Sequence, residues 1–268
     1  MAQPANQLSR ILEHKRLEVD GQMREHSLAS LRAAAEQRPR VRDFHRQLAN
    51  RVESRQNAVI AEIKQASPSK GLLTSDFAPD EIATAYEEGG AACLSVLTDR
   101  VFFRGDNYDL KLARANTSLP VLRKDFVIDP YQIYQAGTLE ADAILLIVAA
   151  LDDAQLRDYS ALAAELGMSA LVEVHNHAEL ERALALSPGL IGINNRDLTS
   201  FETNLATSEQ LAPLAAAEDA LVVAESGLQT GDDLKRLNDC GVYAFLIGES
   251  LITQADRAGA LARLLGQA

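Results

Sequence analysis

The run Ala143-Ile144-Leu145-Leu146-Ile147-Val148 is apolar at every position. A strand with one wet face alternates apolar and polar residues. A continuous run needs cover on both faces, as in a parallel sheet layered with helices. Extended to Leu151, it still falls far short of the roughly 20 apolar residues that cross a membrane. The same pattern repeats on either side. Strand-like runs are expected at 59–64, 93–97, 121–125, 143–148, 170–174, 190–194, 221–224 and 244–247. Helical patterns lie between them at 79–88, 130–139, 152–166, 177–186, 208–217 and 231–240. Several open on Pro or Asp, and several close on a glycine such as Gly89, Gly167 or Gly241, the usual start and stop chemistry of helices.

Eight strand–helix units in a chain of 268 residues predict an α/β fold, the (β/α)₈ barrel. A doubly wound open sheet is the alternative, but the first strand is not followed by a Gly-rich dinucleotide turn. The residues before about 50 lie outside the repeat. They read as helices at 7–19, 28–36 and 43–49, broken by Arg38-Pro39, and are expected to cap one mouth of the barrel. No low-complexity linker divides the chain. One domain over 1–268 is expected, with a helical extension to about 50 and the barrel from about 58.

The formal net charge is −12, with 38 acidic residues against 26 basic ones. That excess argues against nucleic acid as a partner, because phosphodiester binding wants surplus Lys and Arg. A small anion needs only a local cluster of cations. The N-terminus is polar and charged, so a cytoplasmic protein without membrane attachment is expected. Cys93 and Cys240 are too few for a disulfide framework and read as buried free thiols. His175 and His177 have no ligand cluster beside them. They read as exposed loop histidines, and no metal site is expected.

In a barrel of this kind, functional side chains come from the C-terminal ends of several strands. Here those ends carry Glu62, Lys64 and Ser67; Ser95 and Asp99; Arg123, Lys124 and Asp125; Glu173; Asn194, Asn195, Arg196 and Asp197; Glu225, Ser226 and Gly227; and Gly248, Glu249 and Ser250. The fourth strand carries no charge and offers an apolar wall. Glu62 and Lys64 are two apart in a strand and share a face. Alone, such a pair is as readily a self-satisfying structural one, and Lys124 beside Asp125 reads as a surface ion pair. Glu173 is harder to dismiss, since it interrupts the apolar run Leu171-Val172-Glu173-Val174. The glycines in Ala224-Glu225-Ser226-Gly227 and Ile247-Gly248-Glu249-Ser250 follow the last two strands, where barrels often bind phosphate through loop N–H groups.

Taken in order, Ala61-Glu62-Ile63-Lys64 with Ser67-Pro68-Ser69, Leu122-Arg123-Lys124-Asp125-Phe126, Leu171-Val172-Glu173-Val174, Ile191-Gly192-Ile193-Asn194-Asn195-Arg196-Asp197-Leu198, Ala224-Glu225-Ser226-Gly227 and Phe245-Leu246-Ile247-Gly248 resemble the indole-3-glycerol-phosphate synthases of tryptophan biosynthesis. The likeness spans the chain and fits the monofunctional form. It implies a (β/α)₈ barrel without a cofactor, expected to act as a monomer. The implied reaction takes 1-(2-carboxyphenylamino)-1-deoxyribulose 5-phosphate to indole-3-glycerol phosphate, carbon dioxide and water.

The resemblance also implies roles. Lys124 matches the acid for ring closure, with Lys64 near the substrate carboxylate. Glu173 and Glu62 match the catalytic carboxylates, the division of steps between them left open. Asn194, Arg196, Glu225 and Ser226 match positions lining the substrate. Ser67, Gly227, Gly248 and Glu249 fall around the phosphate loops. Glu249 is expected to turn its carboxylate away from a phosphate. Phe103 matches an aromatic position beside the anthranilate ring, with Leu146 expected in the apolar wall. Arg104 and Asp106 have no matched role. A Schiff-base aldolase and a non-catalytic phosphometabolite-binding barrel are the competing readings.

Overall fold

The computed structural model describes residues 7–39, 41–197 and 202–267; Leu198 of the family-like run lies outside them. Eight parallel strands close into a barrel: β1 (Ala58–Ile63), β2 (Cys93–Leu97), β3 (Val121–Lys124), β4 (Ala143–Ile147), β5 (Ser169–Val174), β6 (Leu190–Asn194), β7 (Leu221–Glu225) and β8 (Ala244–Ile247). Each pairs with its chain neighbour, and β1 closes the ring on β8 through Ala58↔Ala244 to Ala61↔Ile247. Strand ends differ from expectation by a residue at most. Two helices were not foreseen between β2 and β3, Arg100–Phe103 and Asn107–Ala115, and two follow β8, Glu249–Ile252 and Arg257–Leu264. A two-stranded ribbon, Ala66–Ser67 with Gly71–Leu72, stands in the loop after β1.

Strand parity divides the core into two layers. Val59, Ala61, Ile63, Ile144, Leu146 and Val172 pack outward against the helices. Ala58, Ile60, Cys93, Leu122, Ala143, Leu145, Leu171 and Leu190 fill the barrel interior. On β1, β3, β5 and β7 the interior series continues up to Glu62, Lys124, Glu173 and Glu225, so the apolar filling ends there in a charged top layer.

The N-terminal extension forms α1 (Gln7–Glu25), α2 (Leu28–Glu36) and α3 (Phe44–Glu53). Helix α3 plugs the N-terminal mouth, with Phe44 and Leu48 inside the interior cluster. Asp43 caps it by accepting from Arg46 N at 2.8 Å. Helix α1 lies at the opposite, C-terminal mouth. Its buried stripe is Leu8, Ile11, Lys15 and Val19. Lys15 is completely buried and lies 2.9 Å from Asp99, 2.9 Å from Asp125 and 2.8 Å from Glu18. The extension therefore covers both mouths, not one.

Three local expectations are corrected. Asp125 does not form a surface pair with Lys124; it faces away from the barrel interior and bonds Lys15, Arg123 and Thr98. Leu146 packs among the helices; Leu145 and Ile147 face the cavity instead. Cys240 is only partly buried, while Cys93 is fully buried.

Candidate active site

A cavity of about 900 Å³ opens at the C-terminal ends of the strands. Its floor follows from strand parity. Glu62, Lys124, Glu173, Asn194 and Glu225 all stand on interior positions of β1, β3, β5, β6 and β7. Lys64 follows two residues after Glu62 and shares its face, as the spacing predicts. The Lys64 ammonium lies 2.5 Å from the Glu62 carboxylate. Across the floor, Lys124 Nζ donates to Glu173 and to Glu225, each at 3.2 Å.

The other residues implied by the resemblance line the same cavity: Ser67, Phe103, Arg196, Ser226, Gly227, Gly248 and Glu249; the strand-end residues Ser95, Asp99, Arg123, Asn195 and Asp197 do not. Phe103 and Phe126 stand with ring centroids 6.0 Å apart, and with Leu145 and Ile147 they form one apolar wall. Asn194 accepts from Arg196 N at 3.1 Å, and the Arg196 guanidinium donates to Ser69 at 3.1 Å. The loops after β7 and β8 lie across the closed ring of strands from β3 and β4. Ser226 and Gly227 both adopt positive φ, 66° and 79°. At Gly227 a Cβ would also strike Thr203, so glycine is required there. Gly248 has ordinary φ, but a Cβ there would overlap the Glu62 carboxylate. Glu249 is paired with Lys70 at 2.9 Å.

Burial and pairing set the charges. Burial opposes ionising Glu62, but Lys64 and Lys124 outweigh it and hold the carboxyl below its ordinary range. Burial likewise favours neutral Lys124, yet Glu225, Glu173 and Glu62 together hold its pKa above the usual lysine value. Glu173 is the clearest case: burial opposes its charge, and Lys124 and His175 overcome it to hold the carboxyl far below normal. At Glu225 burial wins. Aided by repulsion from Glu173 and Glu62, it outweighs Lys124 and pushes the carboxyl up to about 8. One Glu225 oxygen is buried without a hydrogen-bond partner, in keeping with a carboxyl that holds a proton. Three carboxyl groups thus meet two lysines on the floor, and Glu225 is the carboxyl whose surroundings favour holding a proton.

Sequence reasoning missed several members of the site. Gln7, Leu8 and Ile11 of α1 line the cavity; the sequence marked a helix over 7–19 but could not say what it packs against. Arg104 and Asp106 have structural work. Arg104 ends the helix Arg100–Phe103 at φ 55°, and Asp106 caps Asn107–Ala115 by accepting from Tyr108 N at 2.8 Å. His175 was misread as exposed: its side chain is 8 % exposed and contacts Glu173 and Glu179. His177 is indeed exposed. Among the described residues, no His, Cys, Asp and Glu cluster could hold a metal ion, and no helix is long and apolar enough to cross a membrane.

A family model described as indole-3-glycerol phosphate synthase matches residues 8–264. An indole-3-glycerol phosphate synthase of Verminephrobacter eiseniae is 53% identical over 263 residues, covering 96% of this chain and 98% of that one. One of Paracidovorax citrulli is 51% identical over 261 residues, with coverage of 96% and 98%. Among solved structures, the N-acetylmannosamine-6-phosphate 2-epimerase of Clostridium perfringens superposes with a TM-score of 0.57 at 16% identity, over 74% of this chain and 89% of that one. That likeness speaks to the barrel fold alone.

Proposed function

The chain belongs to the indole-3-glycerol phosphate synthase family, and from that premise we propose how its residues divide the work. It is a decarboxylating lyase of tryptophan biosynthesis. The substrate is the phosphorylated anilino-deoxyribulose, and the reaction closes the pyrrole ring, releases carbon dioxide and expels water.

The observation that carries the assignment is the Lys124 ammonium, held 3.2 Å from each of two buried carboxyl groups at the cavity floor. Ring closure places negative charge on the ketone oxygen. Lys124 supplies the proton there, as an acid already positioned and already charged. Lys64 binds the substrate carboxylate, its own charge shared with Glu62. The wall of Phe103, Phe126, Leu145 and Ile147 stacks the anthranilate ring, and loss of carbon dioxide is favoured where the carboxylate leaves water. Dehydration needs a base for the ring-nitrogen proton and an acid for the departing hydroxyl. Glu225 retains its proton near neutrality and is not that base. Glu173 fits it, because its proton affinity rises once Lys124 has given up charge. Glu62 stays paired with Lys64, which assists the leaving hydroxyl. The loops at Ser226-Gly227 and Gly248-Glu249, with Ser67, cradle the phosphate through their N–H groups. The Lys70–Glu249 pair neutralises a carboxylate that would otherwise repel it.

A Schiff-base role for Lys124 is disfavoured: an imine-forming amine needs a lowered pKa, and three carboxyl groups hold this one high. The helical extension and the barrel are read as one domain, since α1 supplies part of the cavity wall. A cytoplasmic monomer remains the working description. The test is fluorescence of indole-3-glycerol phosphate formed from the anilino-deoxyribulose phosphate. Lys124→Ala is expected to lower kcat by about 10²–10⁴-fold with substrate binding kept within about tenfold. Near-normal turnover in that variant removes Lys124 as the acid.

A further inference from the structure

The two oxygens of Glu173 each face a side-chain nitrogen. Oε2 accepts from Lys124 at 3.2 Å. Oε1 lies 3.4 Å from His175 Nε2. His175 does not line the cavity, so it approaches Glu173 from behind. Its other ring nitrogen, Nδ1, lies 2.9 Å from Glu179 Oε2. Glu179 is itself fixed: it accepts the His175 backbone N–H at 2.9 Å and the Asn176 side chain at 2.8 Å. Asn176 in turn caps the helix His177–Leu184 by accepting from Glu179 N. The imidazole thus lies between two carboxylates: Nδ1 is hydrogen-bonded to Glu179, while Nε2 is buried without a hydrogen-bond partner and faces the Glu173 oxygen at 3.4 Å.

We propose that His175 is a positioning residue for this reaction: as an imidazolium clamped by Glu179, it holds Glu173 in the carboxylate form, so that the Lys124 proton passes to substrate and not to Glu173. The need follows from the charges that meet at the floor. Glu62, Glu173 and Glu225 enter from β1, β5 and β7, and among the described residues the cations paired with them from within the cavity are Lys64 and Lys124. Lys64 is committed to Glu62 at 2.5 Å, which leaves Lys124 alone between two carboxyl groups. In a buried pair, proton transfer to the carboxylate yields two neutral groups and escapes the cost of burying charge. A second cation on the far oxygen of Glu173 makes that collapse unfavourable. It also leaves Glu173 with a partner after Lys124 has been spent as an acid. Burial works against the charged imidazole, but Glu173 and Glu179 outweigh it and raise His175 to about 10, so the cation persists through neutral pH.

The inference rests on the reading of Lys124 as acid and Glu173 as base, and the experiment separates the two. His175→Gln removes the charge but keeps a polar side chain. Glu179→Gln leaves His175 in place and weakens its clamp, and it carries the test alone should the first variant fail to fold. With His175 neutralised, the Glu173 carboxyl protonates at higher pH. The acid limb of kcat/KM is therefore expected to move up by about one pH unit or more. The loss in kcat should be largest at the acidic end of the profile and should shrink as pH rises, with KM within about threefold. Glu179→Gln should move the limb the same way by less. Nitrogen-15 histidine spectra, simple in a chain with five histidines, should show both His175 nitrogens protonated at pH 8. An acid limb that stays put in both variants, or a loss equal at every pH, overturns the proposal. So does a His175 that titrates near the ordinary 6.5. Glu173→Gln serves as the reference. If it keeps normal turnover, the role given to Glu173 fails and the inference falls with it. If it is inactive while the limb stays unmoved, only the inference fails.

Discussion

Replacing Lys15 by Met should release α1 from the barrel. The residue is wholly buried and meets two carboxylates that are themselves buried, Asp99 and Asp125, each at 2.9 Å. Met keeps the apolar stem and volume but leaves those two charges without their shared cation. Stranding a partner of a buried ion pair costs about 3–5 kcal/mol. Asp125 gives a partial check on that scale. Burial opposes its charge, but Lys15 and Arg123 outweigh it and hold its pKa at about 2 against an ordinary 3.8. That difference is worth about 2 kcal/mol by linkage, part of it owed to Lys15. The remaining anchors of α1 include the buried side chains Leu8, Ile11 and Val19 and the hydrogen bonds that Gln22 accepts from Tyr131 and Gln135, each at 3.0 Å, offset in part by the entropy of ordering the helix. Hydrogen exchange at pH 7 should therefore show α1 amides opening about 10²–10³-fold more often than in wild type, at 1.4 kcal/mol per decade. Because Leu8 and Ile11 line the cavity, kcat/KM should fall at least about tenfold. The pH dependence has a sign. Asp125 has a depressed folded-state pKa, so its contribution is complete above 3.8 and fades as pH falls toward 2. Wild type and variant should converge on acidification below about pH 4. Protection of α1 within threefold of wild type at pH 7 would refute the reasoning.

Gly248→Ala should act on catalysis more than on stability, since φ there is ordinary and the added methyl meets only the Glu62 side chain. We expect kcat down at least about tenfold in the fluorescence assay; an unchanged kcat would show that the Glu62 position is immaterial. Glu225→Gln should be tolerated by the fold, because Gln imitates the protonated carboxyl. Glu225 has a raised folded-state pKa, so its ionisation weakens the folded state as pH rises from about 4.5 through about 8. The variant should match wild type in urea unfolding at pH 5 and exceed it at pH 8.5, and equal stabilities at both pH values would count against a protonated Glu225.

Much of this molecule can be read along the chain. Eight apolar runs at regular spacing leave few ways to bury both faces of every strand, so a barrel or a doubly wound sheet follows from local pattern, and the pairing of β1 with β8 decides for the barrel. The polar residues at the strand ends were legible too, because a charge that interrupts an apolar run stands out wherever the run is placed. What the chain could not reveal was parity inside uninterrupted runs. In Ile144-Leu145-Leu146-Ile147 every residue is apolar, and only the closed barrel shows that Leu145 and Ile147 face the cavity while Leu146 faces the helices. The environment of buried charges was equally hidden. Lys15 looks like a surface lysine until Asp99 and Asp125, more than eighty residues away in sequence, arrive from two loops. His175 looks exposed until Glu173 and the following helix close over it. Sequence determined which side chains reach the top of the barrel. Tertiary structure decided which of them meet, and so which carry charge, because ionisation in a buried site depends on neighbours brought together by the closed ring of strands.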